Sequence, residues 1–403
     1  ERLNASVVTD RKMGSSFPTS HSLHVLPPLH FLSENEIELF RSADVILSLD
    51  WIDLAGTLFQ VWPDKNVIPK VINISLDVFA HNGWSMDYQG LPPTDINILC
   101  EPDNAVPILL NKIDKKNNKS SKIKKTIKTN DSSDFLTLFD LATSLKENIG
   151  NELTTFVRLP GGWPNSIFDF NSPLDFLGFD GGGGIGSGPG MSIGSALAIR
   201  DLYPERLAIS IIGDGDFLMG QNAFWTAAHY KIPLLTIVAN NKSYFNDEMH
   251  QDRIARQRNR PPKNRWIGQQ ISDPDISIKD IAISQGLKGI GPIKDKNNLS
   301  SAIISGIHYV KRGGFVDNLE YFDAHFFLYS PLEAKTIDPQ IRHFLECARC
   351  ALEDSGVINH RCEFRIGVFS GKGVDQYLME NIISNCPLCE EHSLHVMGDD
   401  ESA

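Results

Sequence analysis

Two short apolar runs, LAISIIG and PLLTIVA, constrain the fold more than any other part of the 403-residue chain. Both are rich in branched aliphatic residues and too short for a buried helix. Each ends on oxygen-bearing groups: Gly213-Asp214-Gly215-Asp216 follows the first run, and Asn240-Asn241 follows the second. The 24 residues from 216 to 239 hold one helix and the returning run. Strand, crossing helix and strand make a right-handed parallel unit, which brings both carboxyl ends to one edge as neighbours. Open sheets of this kind bind ligands at that edge.

The same alternation extends over most of the chain. Across residues 1–112, SENEIELFRSA has a helical period, with Ser33 as N-cap and Glu36 at the spacing of a capping box. ADVILSLD and KVINISLD read as buried parallel strands, and PTDINILCEPDNAVPILLNKI as a further strand and helix. Residues 113–134, rich in Lys, Asn and Ser, read as a solvated linker. The competing reading is a basic arm for phosphate or an acidic partner, but no aromatic residue interleaves its lysines. Residues 135–312 form a second α/β unit containing the glycine stretch GGGGIGSGPG, a helix over MSIGSALAIRDL and a helix over GQNAFWTAAHY. The fold class expected is therefore α/β, with two Rossmann-like doubly wound parallel-sheet domains before a different tail at 313–403.

Composition excludes several classes of function. A net charge of −12 argues against generic nucleic-acid binding, which needs a basic face. No apolar run approaches the length of about 18 residues that a membrane span requires. The chain opens on ERLNASVVTDRKMG, with neither a secretory signal nor an initiator Met, so we expect it to begin inside a longer cytoplasmic protein.

The strand ends carry the chemistry. A hard divalent cation takes oxygen ligands, and Mg²⁺ prefers one or two carboxylates together with substrate phosphate oxygens. Asp214 offers the carboxylate, Asn241 an amide oxygen and Ser243 its carbonyl. Gly213 and Gly215 let backbone approach a phosphate, and a helix beginning near Gly220 would point its positive end there.

The pair GDG and NN at this spacing resembles the diphosphate-binding signature of thiamine-diphosphate enzymes. Residues 135–312 resemble the cofactor domain of the acetolactate synthase, benzoylformate decarboxylase and benzaldehyde lyase group. Residues 1–112 look like the central domain of the same enzymes; they have no tight Gly-x-Gly-x-x-Gly, so no FAD is assigned. The resemblance implies thiamine diphosphate and Mg²⁺ as cofactors, with Gly183, Gly184, Ile185, Gly213, Asp214, Gly215, Asp216 and Asn241 around the cofactor. It implies Asp214, Asn241 and Ser243 as the metal ligands. Ile185 stands where the family wedges an apolar side chain beneath the bent cofactor, and Gly183 where a backbone carbonyl meets the pyrimidine amino group. The implied activity is decarboxylation or carboligation of a small 2-oxo acid. The family's activating glutamate sits on a pyrimidine-binding domain that reaches across a dimer interface. We expect this chain to start after that domain, to need a homodimer or a partner chain supplying it, and to turn over no substrate alone. The polar stretch 246–270 reads either as a flap presenting Glu248 or His250 to the substrate, or as a solvated connection anchored by Trp266.

The tail changes family. EYFDAHFFLYSPLEAKTIDPQIRHFLECARCALEDSG, followed by RIGVFSG, resembles the start of a polyketide β-ketoacyl synthase domain, a partial thiolase-like segment. Phe322, Asp323, Phe326, Phe327, Ser330, Pro331, Asp338, Pro339, Gln340, Arg342, Glu346 and Glu353 match the pattern, while Tyr329 and Ile337 depart from it. The synthase's nucleophilic cysteine and two histidines are expected beyond residue 403. Cys347 and Cys350 fall on the helix, where packing is the expected role. A zinc site joining them to Cys386 and Cys389 is disfavoured, because the intervening 35 residues exceed the usual spacing. Two functional readings follow. One is a 2-oxo-acid carboligase or decarboxylase feeding a polyketide assembly line, with an acyl carrier protein as a further partner. The other is a polyketide synthase fragment that carries a relic cofactor domain.

Overall fold

A computed structural model describes residues 2–28, 32–77, 88, 90–114, 135–179, 184–311 and 321–355. The chain divides into two compact units, Glu1–Gly313 and Gly314–Ala403.

The first unit begins its regular structure with α1 (Glu34–Arg41). The backbone N–H of Ser33 donates to Glu36 Oε2 at 2.9 Å, as the capping-box spacing predicts. There follow β1 (Val45–Leu49), α2 (Leu54–Val61), β2 (Lys70–Ile74), β3 (Ile96–Ile98) and α3 (Pro102–Lys112). The strands form a parallel sheet in the order β1-β2-β3. Phe40, Leu54, Leu58, Val61 and Val71 make its core.

Next come α4 (Leu138–Ile149), β4 (Thr154–Arg158), α5 (Ser187–Leu202), β5 (Leu207–Gly213), α6 (Asp214–Gly220), α7 (Ala223–His229) and β6 (Leu235–Ala239). After them come α8 (Phe245–Gln257), α9 (Ile278–Ser284) and α10 (Lys296–Lys311). A second parallel sheet runs in the order β4-β5-β6. Side chains alternate across it, as a strand period of two requires. Phe156, Ile209 and Ile211 pack with Leu141 and Leu145 of α4 and with Ile303 and Ile307 of α10. Their neighbours Val157, Ala208 and Ile212 pack with Ile193, Ala196, Phe217 and Phe224. Each buried Ile, Val, Leu or Phe side chain among them stabilises by about 1.5–3 kcal/mol.

β1 is not the buried strand expected, with Val45, Leu47 and Leu49 exposed, and two further elements differ from the sequence reading. The helix expected from near Gly220 is split, with α6 opening at Asp214 and ending at Gly220 before α7. Asp214 and Asp216 in the first turn favour that earlier start. A Cβ on Gly220 would fall 2.5 Å from the Gly186 carbonyl, so this glycine marks a close backbone approach. The second difference is the presence of α4 and β4 ahead of the glycine stretch. Thr137 and Asp140 form a capping box, the Thr137 N–H donating to Asp140 Oδ2 at 3.0 Å and the Asp140 N–H to Thr137 Oγ1 at 3.2 Å. The Thr-x-x-Asp spacing is the sequence signal for that helix start.

In the second unit Ser330 caps α11 (Pro331–Thr336), its N–H donating to Glu333 Oε2 at 2.8 Å. Asp338 then opens α12 (Pro339–Asp354), accepting from the Gln340 N–H at 2.8 Å. No residue of α12 is buried, Phe344 is 42% exposed, and Cys347 and Cys350 are exposed. The packing expected of these cysteines is therefore not what the helix provides. Cys362, Cys386, Cys389 and the RIGVFSG stretch lie outside the described residues. Amides protected only by an unburied helix exchange through local opening, so those of 339–354 should exchange on the order of 100-fold faster than those of β5. Equal protection in hydrogen-exchange mass spectrometry would show a buried face that this helix lacks.

Candidate functional site

The carboxyl ends of β5 and β6 lie side by side, with Gly213 opposite Ala239. Asp214 is the first residue past β5 and only 1% exposed. Burial pushes its carboxyl above the ordinary carboxylate value, against the opposing pull of backbone N–H groups that include those of Asn241 and Lys242. Asp214 Oδ2 is buried with no hydrogen-bond partner. A buried carboxylate oxygen left unmatched is costly, and such atoms call for an explanation.

Beyond β6 the chain turns sharply. Asn240 Oδ1 accepts from the Lys242 N–H at 3.0 Å, and Asn241 Oδ1 from the Ser243 N–H at 3.0 Å. Lys242 occupies the left-handed region at φ 59°, which these side-chain turns tolerate. A short bridge then joins Ser243 to Gln270. It uses the Tyr244 N–H and the Lys242 carbonyl, in bonds of 2.8 and 2.7 Å, and so does not involve the carbonyl of Ser243. Gly215 is required by packing, since a Cβ there would lie 2.5 Å from the Tyr244 ring; at Gly213 the space is open.

These groups fit a hard cation. The unmatched Asp214 oxygen and the Asn241 amide oxygen are ligand types that Mg²⁺ takes together with phosphate oxygens. No cluster of three or more His, Cys, Asp or Glu residues gathers for a metal among the described residues. A site built from one carboxylate and neutral oxygens does not need one.

The glycine stretch borders the same edge. Gly183 lies outside the described residues. Ile185 is 42% exposed, and Gly186 follows at φ +99°, a conformation that other residues rarely adopt. Asp216, grouped by sequence with the cofactor residues, turns its carboxylate to this stretch. Its Oδ1 accepts from the Gly186 N–H at 2.7 Å and the Gly188 N–H at 3.2 Å. Its Oδ2 lies 3.6 Å from Arg158 Nη2, an ion pair that sequence reading missed.

The stretch 246–270 is largely helix. Glu248 accepts from Ser243 Oγ at 2.9 Å and pairs with Arg265 at 3.4 Å. Trp266 is 50% exposed, so half of its surface stays in solvent.

Comparison with known proteins agrees with this architecture. Residues 160–316 match the thiamine pyrophosphate enzyme C-terminal TPP-binding domain, and residues 281–397 match the β-ketoacyl synthase N-terminal domain. The overlap contains α10, which packs in the core of the first unit and so belongs structurally with the cofactor-type fold. Among solved structures, benzoylformate decarboxylase from Polynucleobacter necessarius aligns with a TM-score of 0.61 at 19% identity, covering 77% of this chain and 55% of that one. The thiamine diphosphate-dependent 4-hydroxybenzoylformate decarboxylase of Rhodococcus jostii aligns at 0.56 and 19% identity, covering 76% and 55%. At this identity the likeness concerns the fold, and the chain spans about half the length of these proteins. A phenolphthiocerol/phthiocerol polyketide synthase of Mycobacterium tuberculosis is 43% identical over 77 residues, 19% of this chain and 5% of that protein. Polyketide synthase PksM of Bacillus subtilis is 47% identical over 68 residues, 16% of this chain and 2% of that protein. The chain thus spans only a small fraction of these curated relatives. Its sequence matches a thiamine pyrophosphate enzyme C-terminal domain over 160–316 and a β-ketoacyl synthase N-terminal domain over 281–397. No described helix is long and apolar enough to cross a membrane.

Proposed function

We propose that residues 135–312 bind thiamine diphosphate through Mg²⁺ and serve decarboxylation or carboligation of a small 2-oxo acid, in the manner of acetolactate synthase. The observation that carries this reading is the buried, unpartnered Asp214 Oδ2 at the joined ends of β5 and β6. Asp214, the Asn241 amide oxygen and the Ser243 carbonyl hold the ion. Open space at Gly213 admits the diphosphate, and Ile185 supports the rings. When bound, the cofactor supplies a carbon nucleophile for attack on the 2-oxo group. The chain's own residues bind and orient. The activating glutamate comes from a pyrimidine domain, held in a homodimer or on a partner chain. Nucleic acid and membrane play no part, and the proposed setting is the cytoplasm, where exposed thiols such as Cys347 and Cys350 stay reduced.

A second reading, a polyketide synthase portion with a relic cofactor domain and an acyl carrier protein as partner, is favoured by the tail's identity to polyketide synthases. Calorimetric titration of the full chain separates the two. Thiamine diphosphate should bind with Mg²⁺ present and fail to bind in excess chelator. Binding that ignores the chelator overturns the metal assignment, and no binding in either condition favours the relic.

A further inference from the structure

The Arg158–Asp216 pair sits between the glycine stretch and the strand end, yet neither residue is among the proposed metal ligands. Both side chains are nearly buried, at 7% and 13% exposure. Asp216 satisfies N–H groups at Gly186 and Gly188, at the start of α5, so a carboxylate from α6 caps a helix that lies before it in sequence. Glycine is required at both positions. A Cβ on Gly188 would lie 2.0 Å from Asp216 Oδ2, and one on Gly186 would lie 2.9 Å from Met219 Cβ. Arg158 also reaches the other side of the stretch, with its guanidinium 4.2 Å from the centre of the Phe179 ring. One ion pair therefore touches Phe179 before the glycine stretch and Gly186 and Gly188 within it. Its acidic partner is two residues from Asp214.

We infer that Arg158 and Asp216 are positioning residues that set the glycine stretch, and with it Ile185, against the Asp214 strand end, so that cofactor rings and diphosphate are gripped together. This rests on the proposed thiamine diphosphate site. The pairing has an electrostatic logic as well. A nearly buried carboxylate beside a diphosphate would repel it, and the Arg158 guanidinium offsets that charge. Arg11, buried and held down to about 10 chiefly by desolvation, adds a second positive charge that repels Arg158. Asp10 beside Arg11 offsets part of that charge, and Asp216 pairs with Arg158 itself.

The test compares two ligands on the full chain. Inorganic pyrophosphate with Mg²⁺ meets only the strand end, whereas thiamine diphosphate with Mg²⁺ also needs the Ile185 segment. Asp216→Ala should weaken thiamine diphosphate by about tenfold or more, while pyrophosphate, relieved of a nearby carboxylate, should not weaken. Asp216→Asn keeps an oxygen for Gly186 and Gly188 and should restore most of the loss. Arg158→Gln leaves that oxygen in place without its counter-charge and should fall between, which keeps the test decisive if Asp216→Ala does not fold. In ligand-free protein, amides of 184–190 should exchange faster in Asp216→Ala than in wild type. Equal weakening of both ligands, or unchanged cofactor affinity together with unchanged exchange, overturns the positioning role. If wild type binds neither ligand, the site reading itself fails, and the exchange comparison still decides whether the pair holds the glycine stretch.

Discussion

Asp214→Ala is expected to abolish Mg²⁺-dependent binding of thiamine diphosphate, a loss of about 100-fold or more, because it removes the carboxylate from a pre-formed cation site. Asp214→Asn should do nearly the same to binding and the opposite to stability. The Asp214 carboxyl is raised by burial above its ordinary value of 3.8, so folding favours its protonated form. That contribution is complete below the unfolded value and is lost as pH rises through the folded one. The ligand-free protein buries this carboxyl with its Oδ2 unmatched. A neutral amide there should stabilise the ligand-free chain by about 1–2 kcal/mol. Mg²⁺ with thiamine diphosphate should raise the wild-type melting temperature and leave the Asn variant unmoved. A variant that melts below ligand-free wild type at pH 7, or one that still responds to the ligand, would refute the cation site.

The parts of this site legible in sequence are those written locally. LAISIIG and PLLTIVA announce their strands because branched aliphatic runs suit a sheet covered on both faces, and one intervening helical stretch makes them neighbours. Asp214 and Asn241 follow from that without further information. The partner of Asp216 does not. Arg158 lies 58 positions earlier, at the end of β4, while Asp216 is in α6, and no periodicity ties the two. The start of the chain behaves likewise. The Ser15 N–H donates to the Phe176 carbonyl at 3.0 Å, and Arg11 donates to the Gly161 carbonyl at 3.1 Å. Such contacts end on backbone carbonyls over long separations, and a carbonyl acceptor leaves no trace in residue type that would betray a neighbour. Trp266 is a further case, for a large aromatic in a polar stretch suggests an anchor, yet half of its surface is exposed.

Two glycines of α5 make opposite predictions for the same substitution. Helix propensity alone favours Ala over Gly by about 0.8–1.0 kcal/mol in a helix interior. At Gly194 a new Cβ meets nothing within 4 Å, so propensity should win and Gly194→Ala should stabilise by about that amount. At Gly188 the new Cβ would lie 2.0 Å from Asp216 Oδ2 and 2.8 Å from its Cγ, so the carboxylate must leave. Its departure removes the cap on Gly186 and Gly188, worth about 0.5–2 kcal/mol. It also breaks the Arg158–Asp216 pair, whose Arg158 side chain is 7% exposed. Breaking a buried pair costs about 3–5 kcal/mol. Partial relaxation lowers the sum, and the net loss for Gly188→Ala should be on the order of 3 kcal/mol after the propensity gain. The two variants should then melt about 10 °C apart, measured on the transition that reports β5. If both move the melting point in the same direction, the Asp216 carboxylate does not occupy the place that forbids a side chain at Gly188.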